Sequence, residues 1–316
     1  MKTFLLKYGL FALLFFGLAY LVQEVVDYGL KRMTAHTATQ TSISELLSDS
    51  LNADILIMGN SRALCSYHSQ VIETITGKRV WNIGVSGQPF GISYMRYQLY
   101  AQHNKTPQLV IINIDQGELD IIANGFGREE YYPYFDQPII QSYFDLYGLT
   151  WKHRFIPMYK YFGDYKLIGY GFASSVGIYP FDEKHHYHGF YNENSPFDGT
   201  NLRKKFDKDS IIVADCNSRA VQLLEDLIVQ LQQQNTNVLF CYAPQYQVLF
   251  QQLNLDDMMI AYKELSNTYE VPLLDYSCDY WTNDSSYFYN ANHINLKGAT
   301  LFSTQLANDI QAYLVP

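Results

Sequence analysis

Asp54-Ile55-Leu56-Ile57-Met58-Gly59-Asn60-Ser61-Arg62 is the stretch on which the fold of this chain turns. Four apolar residues run straight into Gly-Asn-Ser, and a helix-like segment follows. An apolar run this short, bounded by a turn signal, reads as a buried strand rather than a helix. A serine on the turn leaving such a strand holds its hydroxyl at the carboxyl edge of the sheet, where open α/β sheets place their ligands. Asn and Ser also cap helices often. Ser61 taken alone therefore reads as a cap as readily as a functional group.

The surrounding pattern repeats the unit. Gln70 to Gly77 reads as a short helix ending at the glycine, and Arg79 to Ile83 as a second strand. Behind it comes the glycine-rich loop Gly84-Val85-Ser86-Gly87-Gln88-Pro89, then a helix over Ile92 to His103 and a third, strongly apolar strand over Gln108 to Asp115. Strands joined by helices at this rhythm indicate a parallel sheet with right-handed crossovers, an α/β fold. From about Glu118 to Ser210 the rhythm breaks into an irregular, aromatic insertion, exemplified by Tyr131-Tyr132-Pro133-Tyr134-Phe135. It resumes with a helix over Ser218 to Gln234, a fourth strand over Asn237 to Tyr242 and a helix over Asp256 to Tyr269. A fifth strand over Val271 to Leu274 and a last helix over Gly298 to Leu314 complete it. The insertion is expected to form a cap beside Ser61, because loops on rigid scaffolds carry specificity and aromatic faces suit sugar rings.

Leu5 to Val26 is almost wholly apolar, with Lys7 near its start and Glu24 near its end. It predicts an N-terminal membrane anchor over residues 1–28. No small-residue cleavage site follows, which favours an uncleaved anchor over a removed signal peptide. Residues 29–51, rich in Thr, Ser and Ala, read as a juxtamembrane connector, and 52–316 as the α/β body. Lys2 and Lys7 precede the apolar run while Lys31 and Arg32 follow it, so basic residues do not choose an orientation.

Among 316 residues, 48% are hydrophobic and 17% charged, enough apolar side chain for a large core. The formal net charge of −9 excludes nucleic acid as the main partner, since phosphate binding needs a basic surface. The 28 tyrosines hint at wet or carbohydrate-facing surfaces. Four cysteines lack Cys-x-x-Cys spacing, and Cys241, in an apolar run, reads as core. His185, His186 and His188 are of a metal-binding type. With no acid at ligand spacing, they read as a polar loop, so no metal and no cofactor is expected.

The chemistry-bearing partner for Ser61 stands before the last helix, in Tyr289-Asn290-Ala291-Asn292-His293-Ile294-Asn295-Leu296-Lys297-Gly298. In a parallel sheet the loops after the first and last strands emerge on one side, so Ser61 and His293 can meet. A nucleophilic serine needs a neighbouring base, and neutral imidazole is the usual one.

Gly59-Asn60-Ser61-Arg62, Asn82-Ile83-Gly84-Val85-Ser86-Gly87 and Asn290-Ala291-Asn292-His293-Ile294-Asn295 with Gly298 together resemble the SGNH (GDSL-like) hydrolase superfamily. The resemblance spans about 52–117 and 210–314 and implies a flavodoxin-like, three-layer α/β/α fold. It implies Ser61 as nucleophile, His293 as base, and Gly87 as a glycine whose N–H helps to form an oxyanion hole. The sequence departs from the family twice. Asn290 stands where the triad acid falls, three residues before the histidine. The third block, at Asp115-Gln116-Gly117-Glu118, lacks the family's asparagine, leaving Gln116 as a candidate side-chain donor to the oxyanion. Either a nearby carboxylate, Asp284 or Asp279, replaces the missing acid, or the chain works as a slow Ser61–His293 dyad.

An SGNH-like body behind one membrane span is similar to the D-alanine transfer protein of teichoic acid modification and to the alginate O-acetylation proteins. That similarity implies an extracytoplasmic body at the periplasm or cell surface. Its substrate would be an acylated carbohydrate or cell-envelope polymer, and its reaction ester hydrolysis or O-acyl transfer beside a membrane-bound O-acyltransferase. The alternative expectation is a binding or assembly protein that keeps the fold with weak catalysis.

Overall fold

Ile55–Met58 forms strand β1, and all four of its side chains are fully buried. A strand covered on both faces has no use for alternation, which is why it reads as an unbroken apolar run. The coordinates are a computed structural model that describes residues 1–37, 40–119, 128–145, 149–178, 186–199, 212–213 and 216–314. Strands β2 (Val80–Asn82), β3 (Leu109–Asn113), β4 (Asn237–Tyr242) and β5 (Leu273–Asp275) join β1 in one five-stranded sheet. All four pairings are parallel, in the order β2-β1-β3-β4-β5. This is the flavodoxin-like order, whose crevice opens at the carboxyl ends of β1 and β3, where the connections part to opposite sides.

Eight of the helices, in chain order, are α1 (Lys2–Thr37), α2 (Ser61–Ser66), α3 (Ser69–Thr76), α4 (Phe90–His103), α5 (Tyr165–Ser175), α6 (Ser218–Gln233), α7 (Asp256–Tyr269) and α8 (Leu296–Asp309). α8 packs on α2 and α3, while α6 packs on α4 and α7. The sheet is thus the middle of three layers. On the α8 side Ile55, Ile57, Ile111 and Leu239 meet Phe302, Leu306 and Ile310 in one buried cluster. On the other, the Phe240 ring stands edge-on to Tyr262 of α7. α3 ends, as its sequence indicates, at Gly77, a left-handed residue whose N–H bonds Glu73 O. The last helix starts two residues ahead of its expected beginning, because Asn295 caps it by accepting the Gly298 N–H at 3.1 Å.

The chain divides into two compact units. The sheet unit comprises Thr39–Thr41, Glu45–Asn124 and His185–Pro316; the other comprises Met1–Ala38, Ser42–Ser44 and Gly125–Lys184. The stretch expected as one insertion over 118–210 is therefore split between them. Its part near 190 is a tight hairpin, His186–Tyr187 against Phe190–Tyr191, within the sheet unit. His188 O accepts the Asn82 N–H there at 2.8 Å. A Cβ on Gly189 would sit 1.7 Å from Asn82 O, so only glycine permits this approach.

In the other unit α1 continues as helix through Thr37, beyond the expected end of the anchor at residue 28. The segment expected as a connector over 29–51 is likewise built in further on. Thr41 is fully buried in the sheet unit, accepts the Trp81 Nε1–H at 2.9 Å and donates to Asn82 O at 2.7 Å. Many of the tyrosines serve the interior: Tyr67, Tyr97, Tyr100, Tyr131, Tyr161, Tyr242 and Tyr262 are among the largest fully buried side chains.

Candidate functional site

The turn after β1 is fixed by three residues with three separate tasks. Gly59 has φ +144°, and a Cβ on it would come within 2.9 Å of Asn113 Cβ and 3.0 Å of Ala63 Cβ. Asn60 takes the capping role, its Oδ1 accepting the Arg62 N–H at 3.0 Å. Ser61 then becomes the first residue of α2, with its hydroxyl free of the cap and its own N–H lacking an intrahelical acceptor.

The loop after β2 is held along this turn. Val85 N–H donates to Gly59 O at 3.0 Å, Asn82 Nδ2 to Ala63 O at 2.8 Å, and Gly84 N–H to Asn82 Oδ1 at 2.8 Å. That path carries Gly87, a left-handed residue with φ +67°, to the rim of a cavity of about 290 Å³. Asn60, Ser61, Arg62, Gly87, Gln88, Pro89, Asp115, Gln116, Gly117, Asn292 and His293 line it, all from the sheet unit. Gln116 Oε1 and Asn292 Oδ1 are buried with no hydrogen-bond partner.

His293 arrives on a loop pinned by Asn295, whose Nδ2 donates to Ser286 O at 2.9 Å, and by Gly298, where a Cβ would stand 2.4 Å from Tyr287 O. Its Nε2 lies 2.8 Å from Ser61 Oγ, and its Nδ1 lies 3.0 Å from Asn290 Oδ1. The same Oδ1 accepts the backbone N–H groups of Asn292 at 2.9 Å and His293 at 3.0 Å. Two fixed backbone donors require an acceptor at that position, which identifies the atom as the amide oxygen. Nδ1 must then carry the proton, and Nε2 offers its lone pair to the Ser61 hydroxyl. The Tyr289 ring lies parallel to the imidazole, centroids 5.4 Å apart.

Asp284 and Asp279 do other work. Asp284 caps the short helix Ser285–Tyr287 through the Ser286 N–H at 2.9 Å, and Asp279 Oδ1 accepts the Tyr280 N–H at 2.7 Å. The seat beside Nδ1 is held by Asn290.

Known proteins add little to this picture. No family model matches the chain, and no curated protein is significantly similar to it. Among solved structures, a Bacteroides fragilis protein whose acylhydrolase activity is presumed aligns over 85% of this chain and 93% of its own. Its identity is 12% and the TM-score 0.37, too loose a likeness to carry any conclusion about this chain.

Behind the cavity lies an ion pair that sequence reading did not bring out. Arg62 Nη1 donates to Asp115 Oδ1 at 2.9 Å, with the two side chains 2% and 6% exposed. Asp115 Oδ2 accepts the Asn60 Nδ2–H at 2.6 Å, and Arg62 Nη2 bonds Ala243 O. Burial works most strongly against the guanidinium charge, but the Asp115 carboxylate and Tyr242 together more than offset it and hold Arg62 above its usual value. Asp115 and Arg62 together thus tie the turn after β1 to the ends of β3 and β4. The signal was the Arg after Ser61, a charge placed where only an opposite charge could accompany it.

Glu118 is fully buried, with Ser93 Oγ 3.3 Å from its Oε1. Burial, reinforced by the nearby Asp115 carboxylate, raises its carboxyl well above the ordinary range. An unfolded Glu loses its proton near pH 4.3, so above that pH the folded state holds a proton the unfolded state has given up. Stability from this group is complete below about pH 4.3 and declines as pH rises toward the folded value. Glu118→Gln is expected to raise Tm more at pH 8 than at pH 5. A thermal-melt series in which the Tm difference does not change with pH would contradict this.

The remaining candidates fall outside the site. His186 Nε2 stands 3.6 Å from Glu45 and His188 Nδ1 3.0 Å from Glu73, while His185 lies outside the described residues. All four cysteines are free, and burial pushes the thiols of Cys65 and Cys241 up to about 12, which leaves them unreactive as nucleophiles.

Proposed function

We propose that this chain is a serine-dependent acyl-transfer enzyme of SGNH type. The observation that carries the reading is the Ser61–His293–Asn290 relay, whose tautomer is fixed with the Nε2 lone pair toward Ser61 Oγ at 2.8 Å. Ser61 passes its proton to His293 Nε2 as Oγ attacks the ester carbonyl. The oxyanion of the tetrahedral intermediate is received by the N–H groups of Ser61 and Gly87, with the Gln116 amide at the cavity wall. Such donors are worth roughly 3–4 kcal/mol each when aimed at developing charge. As the intermediate collapses, His293 returns the proton to the leaving oxygen. Water, or an acceptor hydroxyl, then attacks the acyl-enzyme carbonyl as His293 Nε2 takes its proton, and His293 returns that proton to Ser61 Oγ as the acyl group leaves.

Asn290 orients the imidazole but brings no charge to the imidazolium. The parallel Tyr289 ring offsets part of that loss through its π face. In serine proteases the change from acid to amide costs about 10⁴ in rate, partly through the wrong tautomer. Here the tautomer is already productive, so Asn290→Asp is expected to raise kcat on an activated acetyl ester by roughly 10- to 100-fold. A flat or reduced rate, with the fold intact, would contradict the account of Asn290.

Two features support a hydroxyl-rich substrate, such as an acylated carbohydrate or envelope polymer. Gln116 and Asn292 line the cavity, and each has a buried side-chain oxygen without a hydrogen-bond partner that a substrate hydroxyl could satisfy after a side-chain turn. The cavity's modest volume of about 290 Å³ suits one sugar unit with its acyl group. Helix α1, apolar enough over Lys2–Ala35 to cross a bilayer, supports a membrane-anchored chain. An extracytoplasmic body and a membrane-bound O-acyltransferase as partner rest on the resemblance to the anchored SGNH proteins. The second reading, a binding or assembly protein with weak catalysis, is favoured by Asn290 and by the missing asparagine of the block Asp115-Gln116-Gly117-Glu118. Incubating the full-length chain with an activated acetyl ester, with and without an oligosaccharide acceptor, tests the first. Acetate release or acetylated oligosaccharide, lost in Ser61→Ala, supports it; no turnover of any ester by folded protein favours the second.

A further inference from the structure

Most of the exposed apolar side chains of α1 lie between Phe4 and Leu21, roughly 27 Å of helix at about 1.5 Å per residue, with Val25 and Tyr28 exposed beyond them. That length is close to the hydrocarbon thickness of a bilayer, about 30 Å. Polar groups on α1 begin immediately afterwards, and described residues 149–178 of the same unit meet them. Gln23 Oε1 accepts the Met158 N–H at 2.8 Å, which holds Met158 in the left-handed region at φ 65°. Asp27 binds Lys160 Nζ at 2.7 Å and also the Tyr161 hydroxyl. Two residues on, α5 crosses α1 so closely that a Cβ on Gly29 would overlap Gly171 O at 1.7 Å. These contacts fix residues 149–178 at the level where the helix would leave the hydrocarbon.

At that level the segment presents side chains that ordinary surfaces bury. Trp151 is 63% exposed, Phe155 67%, Phe162 81% and Tyr165 77%, with Val176 and Ile178 exposed beyond them. Exposed Lys152, Arg154 and Lys166 are interspersed with these rings, against one acid, Asp164, in a chain whose net charge is −9. Large amphipathic rings at the end of a span, mixed with cations, match the headgroup layer of a bilayer with anionic lipids.

We propose that residues 151–178 form a second membrane contact, a collar seated in the anionic headgroup layer around the exit of α1. This rests on reading α1 as a membrane span and is independent of the chemistry at Ser61. The collar holds the unit at fixed depth with its aromatic rings at the acyl boundary. A single span alone would leave the chain free to tilt and turn.

Trp151 reports on this directly, because the other two tryptophans, Trp81 and Trp281, are only 8% and 3% exposed. Full-length protein reconstituted into phosphatidylcholine vesicles containing phosphatidylglycerol brominated near the top of its acyl chains is expected to lose the larger part of its Trp151 emission. The quenched fraction should vanish in Trp151→Phe. It should shrink when the same brominated chains are carried by phosphatidylcholine alone. Unquenched emission from protein that resists alkaline carbonate extraction would overturn the collar while leaving the span in place. Protein stripped from the vesicles by carbonate would overturn the span and the collar together. Equal quenching with and without the anionic lipid would overturn the assignment to anionic headgroups.

Discussion

Ser61→Ala is expected to lower ester turnover by roughly 10³- to 10⁵-fold, to the level of a chain that binds but cannot form an acyl-enzyme. The hydroxyl is the only atom removed, and no other hydrogen bond of the turn depends on it. Gly59 makes the bend, Asn60 caps α2, and Arg62 is anchored by Asp115. Tm should therefore stay within about 1–2 °C of the parent, as for substitutions away from core features. His293→Ala is expected to cost about as much, and the double variant little more than either single one, because the two groups act as a unit. Additive losses in the double variant would show that Ser61 and His293 serve different steps.

Asp115→Ala should have the largest effect on stability. It removes the only carboxylate among the described residues bonded to Arg62, at 2.9 Å, and the acceptor of Asn60 Nδ2, at 2.6 Å. A buried charge left without its partner typically costs about 3–5 kcal/mol. At roughly 2–4 °C per kcal/mol for a domain of this size, a Tm fall on the order of 10 °C follows. Asp115→Ala combined with Arg62→Met should recover part of the loss, since neither charge is then stranded. Differential scanning calorimetry of the two variants distinguishes this from simple loss of packing, for which the second substitution would add to the damage.

The legibility of the chain follows the range of the forces involved. β1, β3 and β4 could be read because a strand covered on both faces is apolar throughout, and Gly77 could be read as a helix end because that cap is local, whereas the Asn295 cap was missed by two residues. The approach of Ser61 to His293 depends only on topology, since parallel strands send their loops to one edge. Arg62 with Asp115 could not be paired in advance, because the geometry that buries both comes from three strand ends at once. Which of Asn60 and Ser61 caps α2 was likewise open, as both residue types suit the position. The division of the insertion was hidden for the same reason. Yet Asp27, an acid just past the apolar stretch of α1, was a legible signal that a cation such as Lys160 would be brought to it.

Covalent labelling at Ser61 tests the central claim most directly. Folded full-length protein treated with a serine-directed fluorophosphonate is predicted to gain one adduct, located by peptide mass spectrometry on Ser61. It should be absent from Ser61→Ala and formed far more slowly in His293→Ala. A folded chain that gains no adduct, or gains it at another serine with Ser61 untouched, would contradict the assignment of Ser61 as an imidazole-activated nucleophile.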